Sequence, residues 1–123
     1  MLLKYHKNSG FKHDDLLNLF ILTVNKQFKT LSSHAKRRII ERIDTIEAVG
    51  VFIRDYKIDY DDIMEYTYNN GMVEKILIRA NFNFSEDIIF ALSYDAMILT
   101  CYLNKKSDKH YTLKKSLLQG LKI

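Results

Sequence analysis

The spacing of apolar residues along the chain changes from helical to strand-like near Gly71. Before this point, an apolar stripe recurs at steps of three and four residues, which is the period of one helix face. Its members are Ala35, Ile39, Ile43 and Ile46. Ser32 and Ser33 precede the stripe and offer side-chain oxygens that cap a helix start. The pattern therefore predicts a helix over residues 34–49, which Gly50 breaks or bends.

Two other segments of the first half are predicted to be helical. Residues 14–28 have the length of a helix, and Asp14 and Asp15 suit its positive N-terminal end. The centre of this segment, LFILTV, also fits a buried strand, because periodicity does not separate the two structures in so short a run. Residues 63–70, IMEYTYNN, follow two aspartates and precede Gly71, which favours a short helix with a C-terminal glycine.

Three closely spaced segments after Gly71 are rich in branched and aromatic side chains, which favours β-strands. They are residues 73–82, 87–94 and 96–103. The connections, NFSE and the Tyr94–Asp95 pair, suit hairpins, so an antiparallel meander is expected. The tail HYTLKKSLLQGLKI, which begins at His110, fits either a last strand or a short helix.

These elements predict a single α+β domain over residues 1–123. N-terminal helices would pack on one face of a C-terminal antiparallel sheet of three or four strands. Residues 1–30 would form a helical extension, residues 32–71 the helices and residues 73–113 the sheet.

The alternation of side chains along the strands predicts which residues share a face. If the helices cover the apolar side of the sheet, the opposite face carries a polar strip. This strip comprises Arg79, Thr100, Tyr102 and Asn104.

The composition limits the classes of protein and partner. The 123 residues carry a net charge of +4, which mildly favours an anionic partner. Cys101 is the one cysteine, so an internal disulfide and a cysteine-based zinc cluster are excluded and a reducing compartment is expected. No apolar stretch reaches the roughly 18 to 20 residues of a membrane span, and the start MLLKYHKNSG lacks a signal-peptide core. A cytoplasmic protein without membrane contact is therefore predicted.

Three stretches of the chain resemble a family of small bacterial toxin-like domains of unassigned function. They are SSHAKRRIIER (32–42), IDYDDIMEYTYNNG (58–71) and ILTCYLNKKSDKHYTL (98–113). The first resembles a helix start of the form Ser-x-His-Ala-x-x-Arg, and the third looks like the ending of related phage and toxin proteins. The wider group unites barnase-like, EndoU-like, colicin-like and RelE-like ribonucleases, whose shared layout is two helices packed on an antiparallel sheet. The resemblance covers residues 32–113.

Two features depart from the family's pattern. Residues 44–57 separate the two helices, which lie close together in the family, and residues 1–30 have no counterpart. Either departure fits an inactive or repurposed relative. Two roles fit residues 1–30: they form the dimerisation element of a homodimer, or they form a lid.

The resemblance implies metal-independent RNA cleavage without a cofactor, which needs an acid, a base and fixed cations at the phosphate. His34 and His110 are the acid–base candidates, because histidine titrates near neutrality. Arg79 would clamp phosphate oxygens, and Thr100 would orient the phosphate or a base. The residues expected to contact neighbouring phosphates or bases are Arg38, Arg42, Tyr102, Asn104, Lys105 and Lys106.

Each of these residues also has a structural explanation that involves no RNA. His34 can cap or pack against a helix start, and Arg38 and Arg42 can form a solvated helix face. Arg79 can be an edge-strand charge that blocks aggregation, and His110 can belong to a solvated turn.

Two alternatives to RNA cleavage therefore stay open. The first is a non-enzymatic phage or mobile-element protein that binds a host defence or translation component through DYKIDYDDIME (55–65), an acidic stretch with two tyrosines. The second is RNA binding on a toxin-like fold that has lost its activity. The expected partners are RNA and, for a toxin, an antitoxin or immunity protein.

Overall fold

The chain folds into three helices and a six-stranded mixed sheet over residues 2–42 and 46–108, which a computed structural model describes. This confirms the predicted α+β class, but the expected three or four strands are too few. The helices are α1 (Asp14–Asn25), α2 (Ser33–Arg42) and α3 (Ile46–Asp55). The strands are β1 (Leu2–His6), β2 (Thr30–Leu31), β3 (Ile63–Asn69), β4 (Met72–Asn81), β5 (Glu86–Ser93) and β6 (Met97–Lys105).

The strand order in the sheet is β1-β3-β4-β5-β6-β2, so both edge strands come from the start of the chain. The strands from β3 to β6 form an antiparallel meander, and β1 extends it antiparallel to β3. At the other edge, β2 pairs in parallel with β6. The predicted meander of three strands is confirmed as β4, β5 and β6, whereas the two edge strands were not expected.

The helices of the first half differ in part from their predicted bounds. α1 begins at Asp14 as predicted and buries one apolar face against the sheet. The predicted helix end at residue 49 is wrong, because α3 continues to Asp55, and residues 43–45 between α2 and α3 lie outside the described part of the chain. Gly50 does not end a helix either, since it lies inside α3.

Residues 63–69 form strand β3 instead of the predicted helix. The tyrosines and threonine of this segment favour strands, and an adjacent strand is available for pairing. Asn70 and Gly71 connect β3 to β4 with φ angles of 51° and 83°, the positive values that a two-residue hairpin turn of type I′ requires. Gly71 therefore continues the sheet and does not end a helix.

The three helices share one face of the sheet with the main core. Ile78, Phe90 and Ile98 are among the strand residues that are buried in this core together with residues of all three helices. Residues that alternate with them point to the opposite side, which we call the helix-free face. None of the described helices packs on this face, yet Ile89 on it is only 1% exposed.

An aromatic cluster holds β1 and the start of α1 against β3. Tyr5 stacks on Tyr66 with ring centres 5.0 Å apart, and His13 stacks on Tyr68 at 4.0 Å. His13 Nδ1 lies 2.7 Å from Tyr66 Oη, and the same hydroxyl accepts a hydrogen bond from the Lys12 N–H at 3.1 Å. These rings explain why the N-terminal segment joins the sheet and does not form a separate helical extension.

Candidate functional site

His34 and Arg79, the two residues expected to meet at one phosphate, lie on elements at opposite faces of the sheet. His34 is exposed near the start of α2, the helix whose Ala35 is buried in the main core. Arg79 lies on β4 between the buried Ile78 and Ala80, so its side chain points to the helix-free face. The two residues therefore do not line one cleft, and the separate roles suggested for them stay predictions.

The guanidinium of Arg79 contacts β5 and the loop that follows β6. Its Nε donates to Asp87 Oδ2 at 2.8 Å, and one terminal nitrogen donates to the carbonyls of Lys105 at 3.2 Å and Asp108 at 2.6 Å. Lys106 Nζ lies 2.7 Å from the other oxygen of Asp87. Arg79 thereby links β4 to the open end of the β5–β6 hairpin, where β5 begins and β6 ends. We call this region the hairpin end.

The charges at this hairpin end balance one another. Among the described residues there, three cations face three carboxylates: Arg79, Lys105 and Lys106 against Glu86, Asp87 and Asp108. Burial raises the pKa of Asp87, but the hydrogen bonds and charges of Lys106 and Arg79 outweigh this effect, so the pKa is lowered overall. A phosphate at this end would have to compete with the Asp87 carboxylate, which already binds Arg79 and Lys106.

Thr100, Tyr102 and Asn104 lie on the helix-free face, as the alternation predicts. Thr100 stands opposite Ala91, and Tyr102 stands opposite the buried Ile89. Burial raises the pKa of Tyr102 to about 12. The polar strip is therefore interrupted by apolar residues, and the functional roles of its members stay predictions.

Of the remaining predicted residues, the structure describes the side chain of Arg38 and not those of Arg42 and His110. Arg38 is half-buried on α2. The side chain of Arg42 and the whole of His110 fall outside the described part of the chain, as does the predicted last strand or short helix of the tail. The structure thus brings together Arg79 and the two lysines of the hairpin end, whereas the acid–base pair stays a prediction because His110 lies outside the described residues.

Both tyrosines of the acidic stretch form hydrogen bonds within the fold. Tyr56 donates to Asp62, and Tyr60 donates to Asp14 at 2.6 Å. The hydrogen bond to Asp14 raises the pKa of Tyr60 to about 12, with a smaller effect of burial. Binding of a host protein through this stretch stays a prediction, and it would have to compete with these internal hydrogen bonds.

A groove of about 380 Å³ lies between the C-terminal ends of α1 and α3. We call it the basic groove. It is lined by Asn25, Lys26, Gln27, Phe28, Arg54, Asp55 and Lys57.

Hydrogen bonds across the basic groove join its two walls. Asn25 Oδ1 accepts from the Ile58 N–H at 2.8 Å, and Asn25 Nδ2 donates to the Ile58 carbonyl at 3.0 Å. Lys57 Nζ donates to the Asn25 carbonyl at 3.0 Å, and Lys29 Nζ donates to the Tyr56 carbonyl at 2.6 Å. The exposed groups are therefore presented from walls held in a defined arrangement.

The basic groove has an excess of positive charge that the hairpin end lacks. Residues 25–29 and 54–57 contain four cations and one carboxylate, a net charge of +3. Burial, followed by the charge of Lys57, lowers the pKa of Lys29, and Asp55 offsets part of this effect. The ion pair between Arg54 and Asp55 is solvent-exposed and long, at 3.6 Å, so it leaves Arg54 accessible to other anions.

Phe28 is 88% exposed beside these cations. This site was not predicted from the sequence, although KQFK (26–29) and RDYK (54–57) each interleave an aromatic ring with basic side chains. Such interleaving is a signal of nucleic-acid binding, but each stretch is short. The fold strengthens this signal, because it places both stretches at one groove.

Comparison with known proteins found no matching family model, no matching curated protein and no matching solved structure. The resemblance to toxin-like ribonucleases stays a prediction. Within residues 2–42 and 46–108, no helix combines the length and apolarity needed to cross a membrane. The same residues hold no group of three or more His, Cys, Asp or Glu side chains placed to bind a metal ion.

Proposed function

We propose that the protein binds single-stranded RNA in the basic groove. The observation that carries this proposal is the 88% exposure of Phe28 beside the cations of the groove. Exposed aromatic rings on positively charged surfaces stack on unpaired bases, while nearby cations bind the adjacent phosphates. Phe28 is the stacking platform, and Lys26, Arg54 and Lys57 bind phosphates.

Asp55 supports RNA over DNA as the ligand. Its carboxylate lines the same groove and is largely exposed. A carboxylate repels phosphates, so it lowers affinity for any nucleic acid unless it accepts a hydrogen bond from the ligand. The 2′-hydroxyl of RNA supplies that donor, and DNA lacks it. Asp55→Ala should therefore narrow the difference in affinity between RNA and DNA of the same base sequence.

Binding, as opposed to cleavage, is the activity that the chemistry of this groove supports. Cleavage at neutral pH needs a proton acceptor and a proton donor near the phosphate. The described residues lining the groove include no histidine, and their polar groups are amides, one carboxylate and cations. RNA cleavage elsewhere on the protein remains a separate prediction, although His34 and Arg79 do not line one cleft, and incubating total RNA with the protein in EDTA tests it.

The proposal is tested by fluorescence anisotropy with a labelled oligouridine of about 12 nucleotides, within the usual range of site sizes. The wild-type protein should bind it, and Phe28→Ala should weaken binding by about 5- to 150-fold, the effect expected for one lost base stack. Gel analysis of the same samples reports whether the RNA stays intact.

Phe84→Ala is the matched control for this experiment. Phe84 is 99% exposed, lies in the β4–β5 connection and adjoins the charge-balanced hairpin end. This variant removes a ring that is at least as exposed as Phe28 and should leave RNA affinity unchanged. An equal loss for both variants, or no binding by the wild-type protein, would contradict the proposal.

A further inference from the structure

The helix-free face contains a recess of about 90 Å³ that is separate from the basic groove. It is lined by Lys4, Glu65, Tyr66, Thr67, Lys75, Ile76, Leu77 and Ala91. These residues belong to β1, β3, β4 and β5, which are four neighbouring strands of the sheet. The residues that line the recess therefore lie on paired strands and not on loops.

Two buried polar atoms in this recess have no hydrogen-bond partner among the described residues. They are the hydroxyl oxygen of Thr67, a residue that is 2% exposed, and Oε1 of Glu65, which is also buried. Folded proteins pair nearly all such atoms, because a buried polar atom that has lost its water without gaining a partner destabilises the fold. Both atoms belong to residues that line the recess, so a bound molecule can satisfy them together.

Two side-chain nitrogens near the recess are close to Glu65 but do not form hydrogen bonds with it. Lys4 Nζ lies 3.9 Å and His6 Nδ1 3.8 Å from Glu65 Oε1, both beyond hydrogen-bond distance. Thr67 is the register partner of Lys4 on one side and of Lys75 on the other. Two exposed ammonium groups therefore flank the buried hydroxyl.

We propose that this recess binds a small zwitterion of the amino-acid class. The inner acceptors, Glu65 and Thr67, suit an ammonium group, because a charged donor gives the stronger hydrogen bonds to a carboxylate. The ammonium groups of Lys4 and Lys75 suit a carboxylate at the opening. Leu77 offers an apolar contact for the carbon between these two ends. A volume of about 90 Å³ holds a ligand of a few non-hydrogen atoms and is too small to enclose a nucleotide.

Nuclear magnetic resonance of ¹⁵N-labelled protein, titrated with glycine, alanine or β-alanine, tests the proposal. Saturable shifts are expected at the backbone amides of Glu65, Thr67 and Lys75. Methylammonium and acetate each carry only one of the two charged groups, so each should bind at least about tenfold more weakly. Equal effects of acetate and glycine would overturn the zwitterion, and no saturable shift with any probe would mean that water alone fills the recess.

Two conservative variants separate ligand binding from folding. Glu65→Gln removes the charge and Thr67→Val removes the hydroxyl, and each keeps the shape of the side chain. Each should lower zwitterion affinity by about tenfold or more while the protein remains folded. Thr100→Val, on the same face but outside the recess lining, should leave affinity unchanged. Unaltered binding in both recess variants would overturn the assignment, whatever the outcome of the RNA experiment.

Discussion

Asn25 at the end of α1 binds both backbone polar groups of Ile58, which is 33 residues further along the chain. The two hydrogen bonds join an amide side chain to the N–H and the carbonyl of a residue outside regular secondary structure. A side-chain amide suits these two backbone groups, because it carries a donor and an acceptor side by side and can pair with both at once. The basic groove depends on this contact for the relative position of its walls.

Asn25→Ala should lower the free energy of unfolding by about 1–3 kcal/mol, because it leaves the Ile58 N–H and carbonyl without their partner. Urea denaturation followed by circular dichroism measures the change. Gln27→Ala is the control, since the exposed Gln27 side chain bonds only within its own helix region, to the Thr23 carbonyl, and should change stability by less than about 0.5 kcal/mol. Equal stability of the two variants would show that the cross-groove contact is unimportant.

Thr67→Val should raise the free energy of unfolding in the absence of ligand by about 1 kcal/mol. The substitution removes a buried hydroxyl without a partner and keeps the shape of the side chain. Thermal and urea denaturation measure the effect, with Thr100→Val as the reference for a half-buried position on the same face. A loss of stability in Thr67→Val would indicate that the hydroxyl is well solvated.

Asp87 should contribute stability that depends on acid pH. Its pKa is lower in the folded state, so its contribution is present above the unfolded pKa of about 3.9 and is lost as the pH falls through the folded-state pKa. Asp87→Asn should lower the free energy of unfolding at pH 7 by about 1.5–3 kcal/mol. Urea denaturation between pH 7 and pH 2 measures the free energy of unfolding of both proteins. The difference between Asp87→Asn and the wild-type protein should shrink below about pH 4.

Asp61→Asn is the control for this pH experiment, because it replaces an exposed carboxylate. The difference in the free energy of unfolding between this variant and the wild-type protein should stay small across the same pH range. A constant deficit of Asp87→Asn down to the most acidic sample would contradict the ion-pair explanation and indicate a packing defect.

Cys101 should resist alkylation in the folded protein. Burial raises the pKa of its thiol to about 12, which lowers the thiolate fraction at pH 8 by about a thousandfold relative to an ordinary cysteine. Iodoacetamide labelling, followed by mass spectrometry with and without urea, measures the protection. Because the chain has a single cysteine, the signal has one source. Rapid labelling without urea would contradict the burial of β6 at this position.

RNA binding should weaken with salt in proportion to the number of phosphate contacts. Three cations at phosphates of a single strand predict a slope of about −2 for the logarithm of the binding constant against the logarithm of salt concentration. Lys26→Ala should reduce the magnitude of the slope by about 0.7, whereas Lys36→Ala, an exposed lysine of α2, should not change it. A slope unaffected by Lys26→Ala would place the phosphates elsewhere.

The strands of the meander could be predicted because each has one buried face. Ile88, Phe90 and Leu92 alternate with less apolar neighbours, and burial of the first set decides the register. Strand β1 could not be predicted in this way, since LLKYH is short and its pairing depends on β3 more than 50 residues away. For β3 a usable signal existed, because an Asn-Gly pair between strand-like runs is a strong hairpin signal.

The candidate site was less predictable than the fold. Alternation assigned Arg79 to the correct face, but nothing in the local sequence shows that Asp87 and the loop after β6 occupy its guanidinium. The basic groove likewise depends on the contact between Asn25 and Ile58, which no periodic pattern encodes. Strand spacing reports which side of a sheet a residue faces, whereas its partners depend on how distant segments meet.

The position of β1 at the sheet edge has a consequence for synthesis on the ribosome. Leu2 pairs with Asn69, so the first strand has no partner until 67 more residues have been added. At typical elongation rates this interval is about 3–13 s. During that time Leu2 and Leu3 have no strand to pair with, and a chaperone that recognises exposed apolar segments would have its best opportunity to bind the nascent chain.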